Sequence, residues 1–367
     1  MEPMFEKIVD ESNLYATQHN ANLNTNVEEI IAFIGILIFM GFHSLPSIRL
    51  YWSTDQNFFY ERVAKIMPVK IFLKILRYLH LNNNLNMPQR DSPHFDKHYK
   101  IRPLISHLQD KYQSIFKPSR HVAVDESMVP FKGRSTMKQY MPNKSIKRGF
   151  KIWALADSAS GFLLNFDVYT GKKTDGKEEF GLGENVVLNL CENLKKLYYC
   201  VYFDNFFTSI PMISKLLEYR IFACGIFRTN KKFYPKNLMK KDNKYASGDI
   251  KYGQCNDISV MHWKDRGSKP VTLISNIHNA AEYCVVLRRN SKGEKVPVSC
   301  PTGISDYNKY MGGVDKFDQY MAAYTISQKS CRWWIKLFYY FIDTAIVNSY
   351  ILYKESCNKA KKYMFHS

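Results

Sequence analysis

Three carboxylates far apart along the chain have the placement that metal-assisted phosphate chemistry needs. Asp125 closes the β-branched run Val122 to Val124, and Asp204 closes the run Tyr198 to Phe203. Asp315 and Asp318 follow the glycine pair Gly312 and Gly313. Runs rich in β-branched and aromatic residues read as strands. Neighbouring parallel strands lie about 5 Å apart, so two carboxylates at their ends repel each other unless a cation lies between them. Mg²⁺ is the natural ion, hard and oxygen-seeking. Asp315 and Asp318, at i and i+3 on one helical face, are alternative sources of a third ligand. Two such ions roughly 4 Å apart would clamp the attacking and leaving oxygens of a phosphodiester displacement. Strand-end aspartates also cap turns and helices, so the carboxylates alone do not decide the chemistry.

A basic segment shifts the balance. No acidic residue occurs between Glu126 and Asp157, whereas Lys132, Arg134, Lys138, Lys144, Lys147, Arg148 and Lys151 all fall there. Solvated loops ordinarily mix signs; a run of cations neutralises phosphates and releases their counterions. Gly133 and Gly149 allow close backbone approach, and Tyr140 offers an aromatic face to a base. A second basic set comprises Arg228, Lys231, Lys232, Lys236, Lys240 and Lys241, and a third Lys354, Lys359, Lys361 and Lys362. The whole chain carries a formal charge of +19, from 52 Lys and Arg against 33 Asp and Glu. That excess calls for a partner dense in negative charge, nucleic acid first.

Other chemistries lack their residues. The sequence holds no G-x-x-x-x-G-K-[ST], H-E-x-x-H or G-x-S-x-G, and Gly181 with Gly183 makes only a fragment of a dinucleotide fingerprint. No nucleotide cofactor is expected. His94, His98 and His107 read as structural or solvated, and Trp333 with Trp334 as core rather than stacking platforms. The eight cysteines form no C-x-x-C pair and read as reduced thiols. The apolar run Ile30 to Phe42 is thirteen residues long, short of the roughly 20 that a membrane span requires. Met1 to Asp10 is charged and does not read as a signal peptide.

The elements that must position these groups follow from pattern. At 367 residues, 46% apolar and 23% charged, the chain is globular and long enough for about two domains. The first 118 residues read as helical. Thr25 and Glu28 have capping-box spacing before the apolar run, the spacing from Pro68 to Leu81 predicts an amphipathic helix, and Asp96 to Tyr112 is a third helical stretch. From there short strands alternate with helices in the order β-β-β-α-β-α-β: Val122–Val124, Ile152–Ala156, Phe162–Val168, helix Glu184–Leu194, Tyr198–Phe203, a helix capped by Thr208 or Ser209 with Pro211 in its first turn, and Ile221–Phe227. This predicts a mixed sheet, an antiparallel meander followed by crossovers. The Lys- and Asn-rich stretch 230–299 reads as an inserted subdomain with strand-like runs at Ile258–Trp263 and Val271–Ser275. A long aromatic helix, Trp333 to Tyr353, follows.

The motifs Val124-Asp125-Glu126-Ser127, Phe131-Lys132-Gly133-Arg134, Tyr140-Met141-Pro142-Asn143-Lys144, Phe203-Asp204-Asn205-Phe206-Phe207-Thr208-Ser209 and Gly312-Gly313-Val314-Asp315-Lys316-Phe317-Asp318-Gln319 resemble those of the piggyBac transposase family. Arg228-Thr229-Asn230-Lys231, Leu79-His80-Leu81 and the helix from Trp333 to Lys354 add to the resemblance, which runs in order along nearly the whole chain. It implies a mixed α/β fold with an RNase H-like catalytic core over 119–229 and 300–318. An insertion domain would occupy 230–299, and a split helical dimerisation and DNA-binding domain 1–118 and 319–367. It implies that Asp125, Asp204 and Asp315 are catalytic and hold two Mg²⁺ ions, with Mn²⁺ able to stand in, and that Asp318 is an accessory acid of the same metal site. Lys132, Arg134, Lys138, Tyr140, Lys144, Lys147, Arg148, Arg228, Asn230 and Lys231 are the expected DNA contacts. The implied activity is a nuclear, homodimeric DDD transposase that cuts double-stranded DNA at transposon ends. A water releases a 3′-OH that forms and then leaves a hairpin before joining TTAA targets. The resemblance has two departures. Family members carry an acidic N-terminal tail, whereas this sequence starts almost at the helical domain, and they often end in a Cys-rich zinc-binding module, whereas Cys357 alone follows Cys331. The alternative expectation is therefore a catalytically inactive, domesticated or truncated DNA-binding derivative.

Overall fold

In the computed structural model the backbone is described for residues 2–364 except 56, 172–179, 236–245, 266–268, 291, 324 and 327, with side chains to residue 358. Five helices come first: α1 (Glu2–Thr17), α2 (Val27–Phe42), α3 (Glu61–Ile66), α4 (Val69–Tyr78) and α5 (Arg102–Ile115). Strands β1 (His121–Pro130), β2 (Gln139–Tyr140), β3 (Arg148–Asp157) and β4 (Leu163–Val168) follow. Next are α6 (Leu182–Leu190), β5 (Cys200–Phe203), α7 (Ile210–Glu218) and β6 (Phe222–Ile226). Three further strands, β7 (Ile250–Cys255), β8 (Ile258–Trp263) and β9 (Val271–Ser275), precede the hairpin β10 (Tyr283–Arg289) and β11 (Lys295–Pro301). The chain then enters α8 (Thr302–Tyr310), α9 (Gly313–Ala323) and α10 (Trp333–Met364). It divides into two units, one of residues 1–114, 129–150 and 319–353, the other of 115–128, 151–318 and 354–367.

The helical unit illustrates how local chemistry sets element ends. The α2 cap is Asn26, whose side chain accepts from the Glu29 N–H, one residue beyond the Thr25–Glu28 box expected from spacing. Thr25 instead donates its hydroxyl to the Glu29 carboxylate at 2.8 Å. Pro68 is the N-cap of α4. His98, expected to be structural or solvated, is buried; that burial lowers its pKa to about 4 and leaves the ring neutral. Trp334 and the aromatic run Phe338 to Phe341 are buried, which places this stretch of α10 in a core.

The polar residues of α10 are inside as well. Asp343 is 5% exposed and accepts from the Ile326 N–H with both carboxylate oxygens at 3.1 Å. Burial pushes its pKa up from 3.8 to about 7, against the opposing pull of the Ile326 N–H and Lys336. The folded chain therefore holds this proton more tightly than the unfolded chain. The resulting stabilisation is present below pH 4 and is lost as pH rises through about 7. Asp343→Asn keeps an acceptor for Ile326 and removes the charge, while depriving Lys336 of a partner. Urea melts at pH 5 and pH 8 should show the variant losing less stability over that interval, by roughly 2 kcal/mol.

The mixed nine-stranded sheet has the order β2-β3-β1-β5-β6-β9-β8-β7, with β4 pairing β3. β1–β5 and β5–β6 are parallel, while β6–β9, β9–β8 and β8–β7 are antiparallel. A core of Cys200, Tyr202, Cys224, Met261, Trp263, Leu273, Cys300 and Ile304 spans both kinds of pairing. Three expectations change in detail. Strand β1 does not stop at Asp125 but runs to Pro130; β3 supports it along that length, from Ser158 N donating to His121 O to Phe131 N donating to Arg148 O. Strand β5 starts at Cys200, not Tyr198, because Lys196 and Tyr198 have positive φ, which no strand accommodates. The runs at 258–263 and 271–275 do not form a sheet of their own: β9 lies along the open edge of β6, and the Asn276 side chain accepts from the Ala223 N–H at 2.6 Å to extend that ladder. Among the described residues no helix is long and apolar enough to cross a membrane.

Candidate functional site

Strand register brings Asp125 and Asp204 together. β1 and β5 pair in parallel from His121–Cys200 to Val124–Phe203. Asp125 and Asp204 are the next residues along each strand, about 5 Å apart at the backbone. Each carboxylate accepts from the N–H that follows it: Glu126 N to Asp125 Oδ1 at 2.7 Å and Asn205 N to Asp204 Oδ1 at 2.5 Å. Beyond Asp204, Thr208 donates its hydroxyl to the Asp204 carbonyl at 2.9 Å. Ser209 then caps α7 by accepting from Met212 N. Of the two capping residues the sequence offered, Ser209 is the cap, and Thr208 ties the turn to the aspartate.

Helix α9 brings the other two acids. Its first residue, Gly313, lies where a Cβ would stand 3.2 Å from the carbonyl oxygens of Ala156 and Asp157. Lys316 Nζ donates to the Ala159 carbonyl at 2.7 Å and the Ser158 carbonyl at 3.3 Å. These contacts seat the helix on the β3–β4 turn. Asp318 Oδ1 accepts from Ser127 Oγ at 2.7 Å. Ser127 is two residues past Asp125 on one strand and shares its face, so the acid is pinned roughly 7 Å along the strand from Asp125. Asp315 is exposed in the first turn. Half-buried Tyr307 of α8 registers the arrangement: burial, then the charges of Asp204, Cys224, Asp125 and Asp315, raise its phenol above the ordinary tyrosine range. All three predicted carboxylates thus act on one side chain.

The donor set, carboxylate oxygens alone, suits a hard divalent cation. The described residues nevertheless hold no group of three or more His, Cys, Asp or Glu side chains close enough to share one ion. Asp125 and Asp204 are paired by the strand register. On the other face of β1, Glu126 meets Lys151 at 3.6 Å, and Lys151 Nζ lies 3.9 Å from the Trp153 ring. Lys151, counted in the basic segment from sequence, therefore points inward. The pairing of Glu126 with Lys151 and the place of Tyr307 carried no sequence signal; Ser127 stood inside a quoted motif without a role.

The basic segment is otherwise outward. Lys132, Arg134, Lys147 and Arg148 are exposed, and Lys138 and Lys144 are half-buried. Lys138 Nζ donates to the Gly133 carbonyl at 2.8 Å. Arg228 and Asn230 are exposed and Lys231 is half-buried. Arg228 Nε donates to Asn205 Oδ1 at 2.6 Å, which fixes a guanidinium on the residue next to Asp204. Lys236, Lys240 and Lys241, and the side chains of Lys359, Lys361 and Lys362, lie outside the described residues.

A family model described as Transposase IS4 matches residues 2–350. The human piggyBac transposable element-derived protein 3 is 30% identical over 359 residues, which cover 96% of this chain and 59% of that one. The human piggyBac transposable element-derived protein 2 is 29% identical over 364 residues, covering 96% and 60%. The chain thus spans about three fifths of the length of these relatives. Among solved structures, the piggyBac transposase in a cryo-EM synaptic complex with hairpin DNA superposes with a TM-score of 0.82 at 25% identity, over 98% of this chain and 74% of that one.

Proposed function

Because the chain belongs to the IS4-type transposase family, in its piggyBac branch, we propose that it is a metal-dependent DNA transposase that cleaves strands and transfers them to TTAA targets. The observation that carries this reading is the β1–β5 register, which sets Asp125 beside Asp204 at the edge of what we take to be an RNase H-like core. Asp125, Asp204 and Asp315 would hold two Mg²⁺ ions, or Mn²⁺ in their place, with Asp318 adjoining. Bound there, such ions lower the pKa of an attacking oxygen and neutralise charge on the leaving one. The chain's own groups do the positioning. The N–H groups of Glu126 and Asn205 orient the two strand carboxylates, Ser127 holds Asp318, and Arg228, fixed on Asn205, offers charge to a phosphate beside Asp204. Asp315, exposed on α9, would complete the set. The helical segments 1–118 and 319–367 would supply a dimer interface and DNA contacts, with 119–229 and 300–318 as core and 230–299 as insertion; the site of action would be the nucleus.

A second reading, a DNA-binding derivative without cleavage, is favoured by the lack, among the described residues, of a group of three carboxylates close enough to share an ion. Mg²⁺-dependent nicking of a labelled duplex separates the two: cutting supports the enzyme, and salt-sensitive binding with no cutting supports the derivative. For either reading the basic segment should grip phosphate. Replacing Lys132, Arg134 and Lys138 together with Ala should flatten the plot of log affinity against log salt by a slope of about 2 to 3. An unchanged slope would show that the segment does not touch the DNA backbone.

A further inference from the structure

We propose that the cleft beside Tyr140 seats one unpaired nucleotide of a DNA strand, with its base stacked on the tyrosine ring. The proposal rests on the DNA-binding reading above and adds to it a state of the DNA, a base out of the duplex. Tyr140 and Arg148 are cross-strand partners in the β2–β3 pair. The Arg148 guanidinium lies 5.3 Å from the ring centroid, and the tyrosine is 60% exposed. Met141 N donates to Lys147 O at 2.9 Å, so the turn after Tyr140 is tied and the ring stands on a fixed platform. A large exposed aromatic on such a platform, backed by a cation, is an open stacking face.

The adjoining cleft has a volume of about 630 Å³ and is walled by Pro130, Phe131 and Ile146 as well as by lysines. Phe131 is itself buried and stacked on Phe150 at 4.8 Å, so the floor is apolar and rigid. Lys132 and Lys147 are exposed on the rim, and Lys138 is anchored on the Gly133 carbonyl. The occupant must therefore be planar and apolar in the middle and anionic at its edges. No acidic residue within this stretch would meet a cationic ligand. A nucleotide within a strand has that form, with a phosphate on either side of its base. A base inside a duplex is stacked on both faces and cannot lie on Tyr140. A free mononucleotide would want a glycine-rich phosphate cradle, which the sequence lacks.

The test compares a blunt duplex with one carrying a short single-stranded overhang that contains 2-aminopurine, using the full chain and its Tyr140→Phe and Tyr140→Leu variants. Phenylalanine keeps the ring; leucine keeps apolar bulk without it. The wild type should prefer the overhang about tenfold and change the 2-aminopurine fluorescence. Tyr140→Phe should keep both properties, and Tyr140→Leu should bring the preference to about one and abolish the signal. Overhang preference that survives in Tyr140→Leu, or is absent from the wild type while salt-sensitive duplex binding persists, overturns the stacking seat and leaves the DNA-binding reading standing. Competition by free adenosine monophosphate at affinity equal to that of the overhang would overturn the assignment to a strand. Failure to bind either DNA at low salt overturns the DNA-binding reading and this proposal with it.

Discussion

Asp204→Asn is expected to cut Mg²⁺-dependent strand cleavage by on the order of 10³-fold while leaving the fold in place. Asparagine has the shape of aspartate and keeps an oxygen to accept from the Asn205 N–H, as Asp204 Oδ1 does at 2.5 Å. The Thr208 hydroxyl bonds the Asp204 main-chain carbonyl and is untouched. What is lost is a negative charge facing Asp125 across the β1–β5 pair, and with it the affinity of that pair for a divalent cation. Removing one charged member of a preorganised site commonly costs about 10² to 10³ in rate, and more when the group holds the metal itself. Single-turnover nicking of a labelled duplex, with a thermal melt as the folding control, reads both quantities. Equal cutting by wild type and variant would end the enzyme reading and leave the chain a cationic DNA-binding scaffold. Asp125→Asn should behave in the same way, because the register makes the two acids equivalent partners.

The second large effect concerns stability. Gly149→Ala should destabilise the fold by at least about 3 kcal/mol, lowering Tm by roughly 6 to 12 °C. A Cβ built on Gly149 would stand 1.9 Å from the Val129 carbonyl oxygen and 2.8 Å from its carbon. Both atoms are backbone, so no rotamer change relieves the overlap. Gly149 also pairs with Gln139 of β2 on its other side, which leaves it no room to retreat. The strand must shift, and the ladder that sets the root of the basic segment is lost. A thermal melt checks this, and an unchanged Tm would mean that the two strands part there at little cost. The sequence reading assigned Gly149 to close approach by DNA; the approach that requires it is that of its own neighbouring strand.

How much was legible differs from element to element. The mixed α/β class, the succession of β1, β3, β4, α6, β5, α7 and β6, and the Pro211-bearing helix were readable because period and punctuation are local properties of sequence. The long α10 was readable for the same reason, and Trp334 lies in a core as its type suggested. Tertiary facts were less accessible. That β1 continues past Asp125 depends on β3 lying beside it. That β7 to β9 join the main sheet depends on β6 having an open edge, which nothing in the Lys- and Asn-rich composition announces. The cap of α2 slid by one residue because Asn26 competes with Thr25 for the same backbone N–H groups. At the site, the two strand acids were placed beside each other by a correct guess of parallel pairing. The buried pairing of Lys151 with Glu126 was hidden, since the lysine looks like its solvated neighbours until strand alternation turns it inward.

The seat of α9 on the β3–β4 turn carries a consequence for biosynthesis. The helix that brings Asp315 and Asp318 is made only after β7 to β11 and α8 have been translated. A nascent polypeptide that has already folded β1, β5 and β6 owns both strand acids but has no Lys316 to grip the turn and no partner for Ser127. On the proposed function, vectorial synthesis withholds the last carboxylates, and a chain still attached to the ribosome is expected not to cut nucleic acid around it until α9 has emerged.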